Sequence, residues 1–217
     1  MGSERLRFPQ ARIAVFAKAP VPGRVKTRLA RRLGAKAAAG AYRTMLRQRL
    51  AELAAAGLAP VELWAAPHAH PWLRALARRY GAQLRVQPSG DLGRRMAFAL
   101  AGPEASVVIG GDCPGLATSV IGDALAALDD GDALVVAPAE DGGYTLIGSR
   151  WPPRTVFQHM PWGSPHVMAE TRRRIARAGI TARELALSWD VDDAADWRRW
   201  RRVRRVPFGS ASRGPYR

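Results

Sequence analysis

Five short stretches of this chain hold residue types able to handle phosphate and a hard cation. In FAKAPVPGRVKTRLA, Phe16 to Ala30, two prolines and a glycine follow the apolar run Ile13-Ala14-Val15, with Lys18, Arg24, Lys26 and Arg28 set around them. Pro20, Pro22 and Gly23 fix an irregular path behind a strand. Cations crowding the start of the next helix, where backbone N–H groups point outward, make a phosphate cradle. The loop is not of the Walker A type, in which lysine follows the second glycine directly, because two residues separate Gly23 from Lys26. A solvated basic loop with Thr27 in the first helical turn accounts for the same residues equally well.

In IGGDCPGL, Ile109 to Leu116, a buried strand leaves through two glycines into Asp112, and Cys113-Pro114-Gly115-Leu116 predicts a type II turn. A carboxylate beside a phosphate-binding loop is a natural Mg²⁺ or Mn²⁺ ligand, since hard cations take oxygen donors and share them with substrate phosphates. A turn aspartate is the plainer reading, with Cys113 as a small packing residue. In AEDGGYTLIG, Ala139 to Gly148, Asp141-Gly142-Gly143 is a hairpin signal whose glycines also permit close approach of a ligand. Asp190 and Asp192 of SWDVDDAADWRRW are two apart in an extended segment, so their side chains share a face and can complete a metal site, while Asp193 caps the helix that follows. In SGDLGRRMAFAL, Ser89 or Asp91 caps a helix whose exposed first turn carries Gly93, where a flat base or sugar can lie against the backbone.

The elements that must position these residues alternate along the chain. Apolar runs at 12–17, 61–66, 82–87, 106–111 and 133–139 read as strands, separated by segments with helical spacing such as Tyr42, Met45, Leu46, Leu50 and Leu53. This rhythm predicts a mainly parallel sheet covered by helices, with ligands bound beyond the carboxyl ends of the strands. Two further strands, 144–149 and 181–187, bracket a helix predicted to start at Ser164-Pro165.

With 217 residues and 47% hydrophobic content the chain can bury one full α/β core, so a single domain over 1–205 is expected, followed by a poorly ordered basic tail over 206–217. The formal net charge of +16 concentrates anionic partners around the molecule. The lone cysteine excludes an internal disulfide framework and no Cys/His cluster has zinc spacing, which fits a reducing compartment. No stretch reaches the roughly 20 apolar residues of a bilayer span. A cytoplasmic location is the expectation.

These motifs, in this order, resemble a bacterial family of A-type glycosyltransferase-like proteins of the radical-SAM or selenodomain-associated transferase type. That family is distantly related to molybdenum-cofactor and 2-phospholactate guanylyltransferases. The resemblance rests on FAKAPVPGRVKTRLA, GDLGRRM, GGDCPGL, EDGGYTLIG, MPWGSP and DVDD, from Phe16 to about Trp197. Arg94, Pro88 and Gly163 stand where the pattern usually has glutamate, glycine and serine. The resemblance implies a Rossmann-like three-layer αβα nucleotide-diphospho-sugar transferase fold, with one antiparallel strand in a mainly parallel sheet. It implies a nucleotide over Ala17, Lys18, Gly23, Arg24, Lys26, Thr27 and Arg28, bordered by Gly93 and Arg95. It also implies a divalent metal on Asp112 with Asp192 and Asp190, and an acceptor side at Gly142, Gly143 and Trp162. Asp112, Asp141 and Lys26 are then the catalytic candidates.

Such a site works by charge compensation. Two reactions suit it: glycosyl transfer from a nucleotide-sugar to a small-molecule acceptor, the favoured reading, or nucleotidyl transfer from a nucleoside triphosphate to a phosphorylated small molecule with release of pyrophosphate. A rival class is a nucleic-acid-binding protein, in which Trp197, Trp200 and Phe208 interleaved with arginine hold single strands. No helix-turn-helix, zinc-finger or RNP signature accompanies that pattern, and contact of the tail with an anionic membrane surface is at most a secondary role.

Overall fold

The computed structural model describes residues 6–102, 104–151 and 154–205; the tail expected over 206–217, including Phe208, lies outside them. Seven strands form one sheet: β1 (Arg12–Lys18), β2 (Val61–Ala66), β3 (Gln83–Val86), β4 (Ser106–Gly110), β5 (Leu134–Pro138), β6 (Tyr144–Ser149) and β7 (Ala182–Glu184). Their order is β3-β2-β1-β4-β6-β5-β7. All neighbours are parallel except β6, which runs antiparallel to both β4 and β5 because the Asp141-Gly142-Gly143 turn folds it back along β5. The mainly parallel sheet with one antiparallel strand is the architecture expected from the sequence.

Side chains alternate across the strands and so build a core on each face. Ile13, Val15, Leu63, Ile109 and Val135 pack under α2 (Ala35–Ala56), α3 (Pro71–Arg79) and α5 (Thr118–Asp129), which contribute Leu46, Leu50, Leu73, Leu76, Ile121 and Leu125. On the other face Ala14, Trp64, Val108, Val136 and Ile147 meet Met96, Leu100, Phe157 and Met168. Those four come from α4 (Leu92–Leu100), α6 (Arg154–Phe157) and α7 (Val167–Arg177). A third cluster joins Leu29 of α1 (Thr27–Leu33) and Met45 of α2 to Val191 and to Trp200 of α8 (Ala194–Arg205). It brings Val191 and α8 against α1, next to the loop that follows β1.

The chain steps outward from β1 to β2 and β3, then returns to place β4 on the opposite side of β1. The β1/β4 boundary is therefore the point where strand order reverses, the usual location of a ligand crevice in open α/β sheets. No described helix is long and apolar enough to cross a membrane.

The 181–187 strand shrinks to Ala182–Glu184, at the sheet edge beside β5. The helix expected from Ser164-Pro165 begins only at Val167, with no side-chain cap. Ser164 accepts a hydrogen bond from the His166 N–H in a local turn (3.3 Å). That turn brings the Pro165 backbone against Gly142.

Candidate functional site

β1 and β4 end side by side, with Phe16 in register with Gly110. Just beyond those ends the Lys26 ammonium lies 2.7 Å from Asp112 Oδ2, 3.1 Å from Asp192 Oδ1 and 3.9 Å from Asp190 Oδ2. Four residues from three distant stretches of sequence thus meet where strand order reverses. Arg28 adds a contact to Asp192 at 3.4 Å but is 70% exposed, whereas the Lys26 side chain is only 7% exposed. Burial alone would lower the pKa of Lys26. The charges of Asp112 and Asp192, the hydrogen bond to Asp112 and the charge of Asp190 outweigh it, and the net shift is upward. Burial pushes the Asp190 carboxyl up to about 7; Lys26 opposes the shift, and the charges of Asp192, Asp112 and Asp141 add to it.

Lys26 reaches inward because its backbone is left-handed, with φ 46° and ψ 51°, at the N-cap of α1. For a residue other than glycine this conformation costs on the order of 1 kcal/mol and persists only where surrounding contacts impose it. The other cations of the loop behave differently. Lys18 and Arg24 are exposed, as are Gly23 (φ 80°) and Thr27, the first residue of α1. Ala17 is buried in β1.

The Asp112 turn is held from behind. Arg49, buried on α2, donates from Nη2 to the carbonyls of Cys113 (2.7 Å) and Leu116 (2.6 Å). The Gly111 N–H donates to the Phe16 carbonyl (3.0 Å), and Tyr42 accepts the Lys18 N–H at its hydroxyl (2.8 Å). Burial, with the charge of Asp112, raises the Tyr42 pKa, so the phenol stays protonated. A Cβ on Gly110 would stand 2.5 Å from the Cys113 sulfur and one on Gly111 2.5 Å from Leu46, so Gly110 leaves room for the turn's own thiol and Gly111 lets the strand end pass close to α2. The Cys113–Leu116 turn forms, closed by the Leu116 N–H donating to the Cys113 carbonyl (3.0 Å), but it is not type II, because Gly115 does not take a positive φ. What requires glycine there is the indole of Trp189, which covers its Cα.

Trp189 also ties the acidic segments to one another. Its carbonyl accepts the Gly115 N–H (3.2 Å). Arg199 of α8 stacks 4.2 Å over its ring and forms a two-pronged ion pair with Glu140 at 2.7 and 2.9 Å. Glu140 precedes Asp141, whose Oδ1 accepts the Gly143 N–H (2.9 Å). Asp141 is not in the Lys26 cluster, although its charge acts on Asp190. Asp193 caps α8 as expected: it accepts from the Ala195 and Asp196 N–H groups, while Asp196 accepts from those of Asp192 and Asp193.

Asp91 caps α4 through the Arg94 N–H (2.8 Å), but Gly93 is buried instead of open to a ligand. A Cβ there would meet the Phe157 carbonyl oxygen at 2.5 Å and the Trp162 ring at 2.9 Å, so the flat surface expected of Gly93 is already covered by protein. Arg95 turns back to the Gly90 carbonyl (3.1 Å). Trp162 packs edge-on against Tyr144 at 6.3 Å, so Tyr144 links it to the Gly143 end of the hairpin. Trp197 and Trp200, read as a stacking platform, instead contact each other at 5.0 Å inside the cluster formed with Leu29 and Met45, and Trp200 is 2% exposed.

Sequence reasoning passed over Arg49, Tyr42, Trp189 and the Glu140–Arg199 pair. Arg49 did leave a signal, a charge among the apolar spacings Met45, Leu46, Leu50 and Leu53. Nothing in the sequence marked the partners of Trp189 or Arg199.

Among the described residues no group of three or more His, Cys, Asp and Glu side chains is disposed by itself to hold a metal ion. The donor set is nevertheless of the kind a hard cation takes: three carboxylates converge on a positive charge, with the Lys26 ammonium standing in as the cation.

No curated protein matches the chain. Among solved structures, a Desulfovibrio desulfuricans G20 protein provisionally described as a nucleotide-diphospho-sugar transferase is 29% identical, covering 94% of this chain and 92% of that one at a TM-score of 0.83. CMP:2-keto-3-deoxy-manno-octonic acid synthetase complexed with CTP has the same fold at 14% identity, with 90% and 98% of the chains covered and a TM-score of 0.56. The inositol-1-phosphate CTP transferase of T. maritima does so at 10% identity, with 87% and 91% covered and a TM-score of 0.56. The fold is thus shared by nucleotide-sugar transferase-like proteins and CTP-utilising nucleotidyltransferases. Residues 49–164, more than half of the sequence, match the family described as "Uncharacterized protein conserved in bacteria (DUF2064)", and the chain belongs to that family.

Proposed function

We propose that the protein is a nucleotide-utilising transferase that moves a glycosyl group from a nucleotide-sugar to a small-molecule acceptor. The observation that carries this reading is the convergence of Lys26, Asp112, Asp190 and Asp192 beyond the ends of β1 and β4, beside a loop bearing Lys18, Arg24 and Arg28. The bond from the sugar's anomeric carbon to the diphosphate oxygen breaks, the acceptor oxygen bonds to that carbon, and the hydroxyl proton passes to the Asp141 carboxylate. Lys26, Arg28 and Arg24 stabilise the negative charge that develops on the leaving diphosphate, usually the largest catalytic contribution. Mg²⁺ or Mn²⁺ held by Asp112 with Asp192 and Asp190 would supply Lewis-acid neutralisation of the same oxygens. Gly142, Gly143 and Trp162 lie on the acceptor side. The cytoplasm is the proposed location.

The CTP-utilising relatives of this fold and the density of cations around the opening loop favour a second reading, nucleotidyl transfer. There the acceptor's phosphate attacks the α-phosphate of a nucleoside triphosphate and pyrophosphate leaves. Thermal-shift screening of nucleoside triphosphates and nucleotide-sugars with Mg²⁺ or Mn²⁺ identifies the donor, and assaying nucleoside diphosphate against pyrophosphate separates the reactions. Asp112→Ala is expected to lose metal-dependent nucleotide binding. Stabilisation by no nucleotide, together with salt-sensitive binding to DNA or RNA, would overturn the transferase reading.

A further inference from the structure

Lys26 is the member of the cluster whose position needs explanation. Lys18, Arg24 and Arg28 extend toward solvent, as a phosphate-facing loop requires, but Lys26 folds inward through a left-handed backbone and presents its ammonium to three carboxylates. A lysine so placed cannot at the same time neutralise a phosphate. Nor can its contacts with Asp112 Oδ2 and Asp192 Oδ1 coexist with a cation bound to those same oxygens.

We infer that Lys26 is an internal counter-cation, which yields Asp112 and Asp192 to a divalent ion when phosphate arrives to accept its ammonium. The inference rests on the metal and nucleotide reading given above. The carboxylates outnumber the one buried ammonium, and the other cation at Asp192, Arg28, is 70% exposed, so the buried centre carries an excess of negative charge. A doubly charged ion in place of the ammonium lowers that excess, and the released ammonium finds a new anion in the phosphate. Each ligand therefore favours the other: phosphate draws Lys26 away from the carboxylates, and the metal prevents its return. Such coupling is reciprocal by thermodynamic necessity.

The test reads binding, not turnover. Mn²⁺ titration by calorimetry of the full chain is compared for wild type, Lys26→Met and Lys26→Arg, with and without inorganic pyrophosphate. Removing the competing cation should tighten binding of Mn²⁺ alone by about tenfold or more in Lys26→Met, since the wild-type site is open only a small fraction of the time. With pyrophosphate present the order reverses, because the methionine has no charge to offer it. Lys26→Arg keeps the weak wild-type response to Mn²⁺ alone.

A second measurement needs no variant. Lysines occur only at 18, 26 and 36, so acetylation followed by mass spectrometry reports Lys26 against exposed Lys36. Lys26 should be protected in the metal-free protein, become reactive with saturating Mn²⁺, and regain protection when pyrophosphate is added. Mn²⁺ binding that is no tighter in Lys26→Met than in wild type, or that leaves Lys26 protected, overturns the counter-cation while leaving the metal site standing. Mn²⁺ binding by neither protein, with or without pyrophosphate, removes both.

Discussion

Gly142 offers a direct measure of how tightly the Asp141 loop is built. Its φ is +85°, and a Cβ placed there would collide with the Pro165 backbone, lying 2.7 Å from the carbonyl carbon and 2.8 Å from Cα, with the carbonyl oxygen nearer still. Pro165 cannot simply withdraw, because the Gly142 carbonyl also accepts the Met168 N–H (2.8 Å) at the start of α7. Gly142→Ala therefore combines left-handed strain of about 1 kcal/mol with a forced backbone shift of about 1–3 kcal/mol. The sum, about 2–4 kcal/mol, corresponds to a Tm lower by about 5–15 °C in a domain of this size. Gly57→Ala is the control: φ is +56° and nothing lies within 4 Å of its Cβ position, so only the strain applies, about 1 kcal/mol and about 2–4 °C. Urea unfolding and thermal melts of both variants give the comparison. Equal losses in the two would refute the argument that Pro165 closes over this loop.

Three further outcomes are expected. Trp200→Ala empties the cluster between α1, α2 and α8 and should cost about 3–5 kcal/mol in urea unfolding; a loss below about 1 kcal/mol would mean that α8 is not anchored there. Hydrogen bonds from Arg173 and Arg174 lower the Glu170 pKa to about 2, so its stabilisation is present above the ordinary carboxylate range and fades as pH falls toward 2. The Tm gap between wild type and Glu170→Gln should accordingly narrow between pH 5 and 2, and a constant gap contradicts the pairing. Burial raises the Cys113 pKa well above the usual thiol value, so a thiol reagent at pH 8 should react only after denaturant is added.

The inner strands were legible because each is a short apolar run between turn signals, and the reversal of β6 was legible in Asp141-Gly142-Gly143; the edge strand β7, only Ala182–Glu184, was overdrawn because its pairing is with β5 alone. The capping roles of Asp91 and Asp193 followed from side-chain chemistry at helix starts. What escaped the sequence depends on backbone conformation or on distant partners. A lysine gives no warning that it will adopt a positive φ, so Lys26 was placed with the loop's outward cations although it turns inward. Gly93 and Gly115 were read as serving a ligand and a type II turn, but each is small because an indole, that of Trp162 or Trp189, lies against it. The start expected at Ser164-Pro165 moved to Val167 because that segment covers Gly142. Trp197 and Trp200 looked like surface aromatics among arginines, and only the packing of α8 against α1 turns them inward.

The ion pair between Lys26 and Asp192 spans 166 residues of chain. A contact of such separation forms only after the intervening chain is in place, since closing so long a loop is rewarded late. During synthesis Lys26 is made long before Asp190, Asp192 and Trp200, so the charge centre depends on a segment made well after the loop it joins. The pairing of Lys26 with Asp192 is therefore absent until that later segment has docked against the loop after β1.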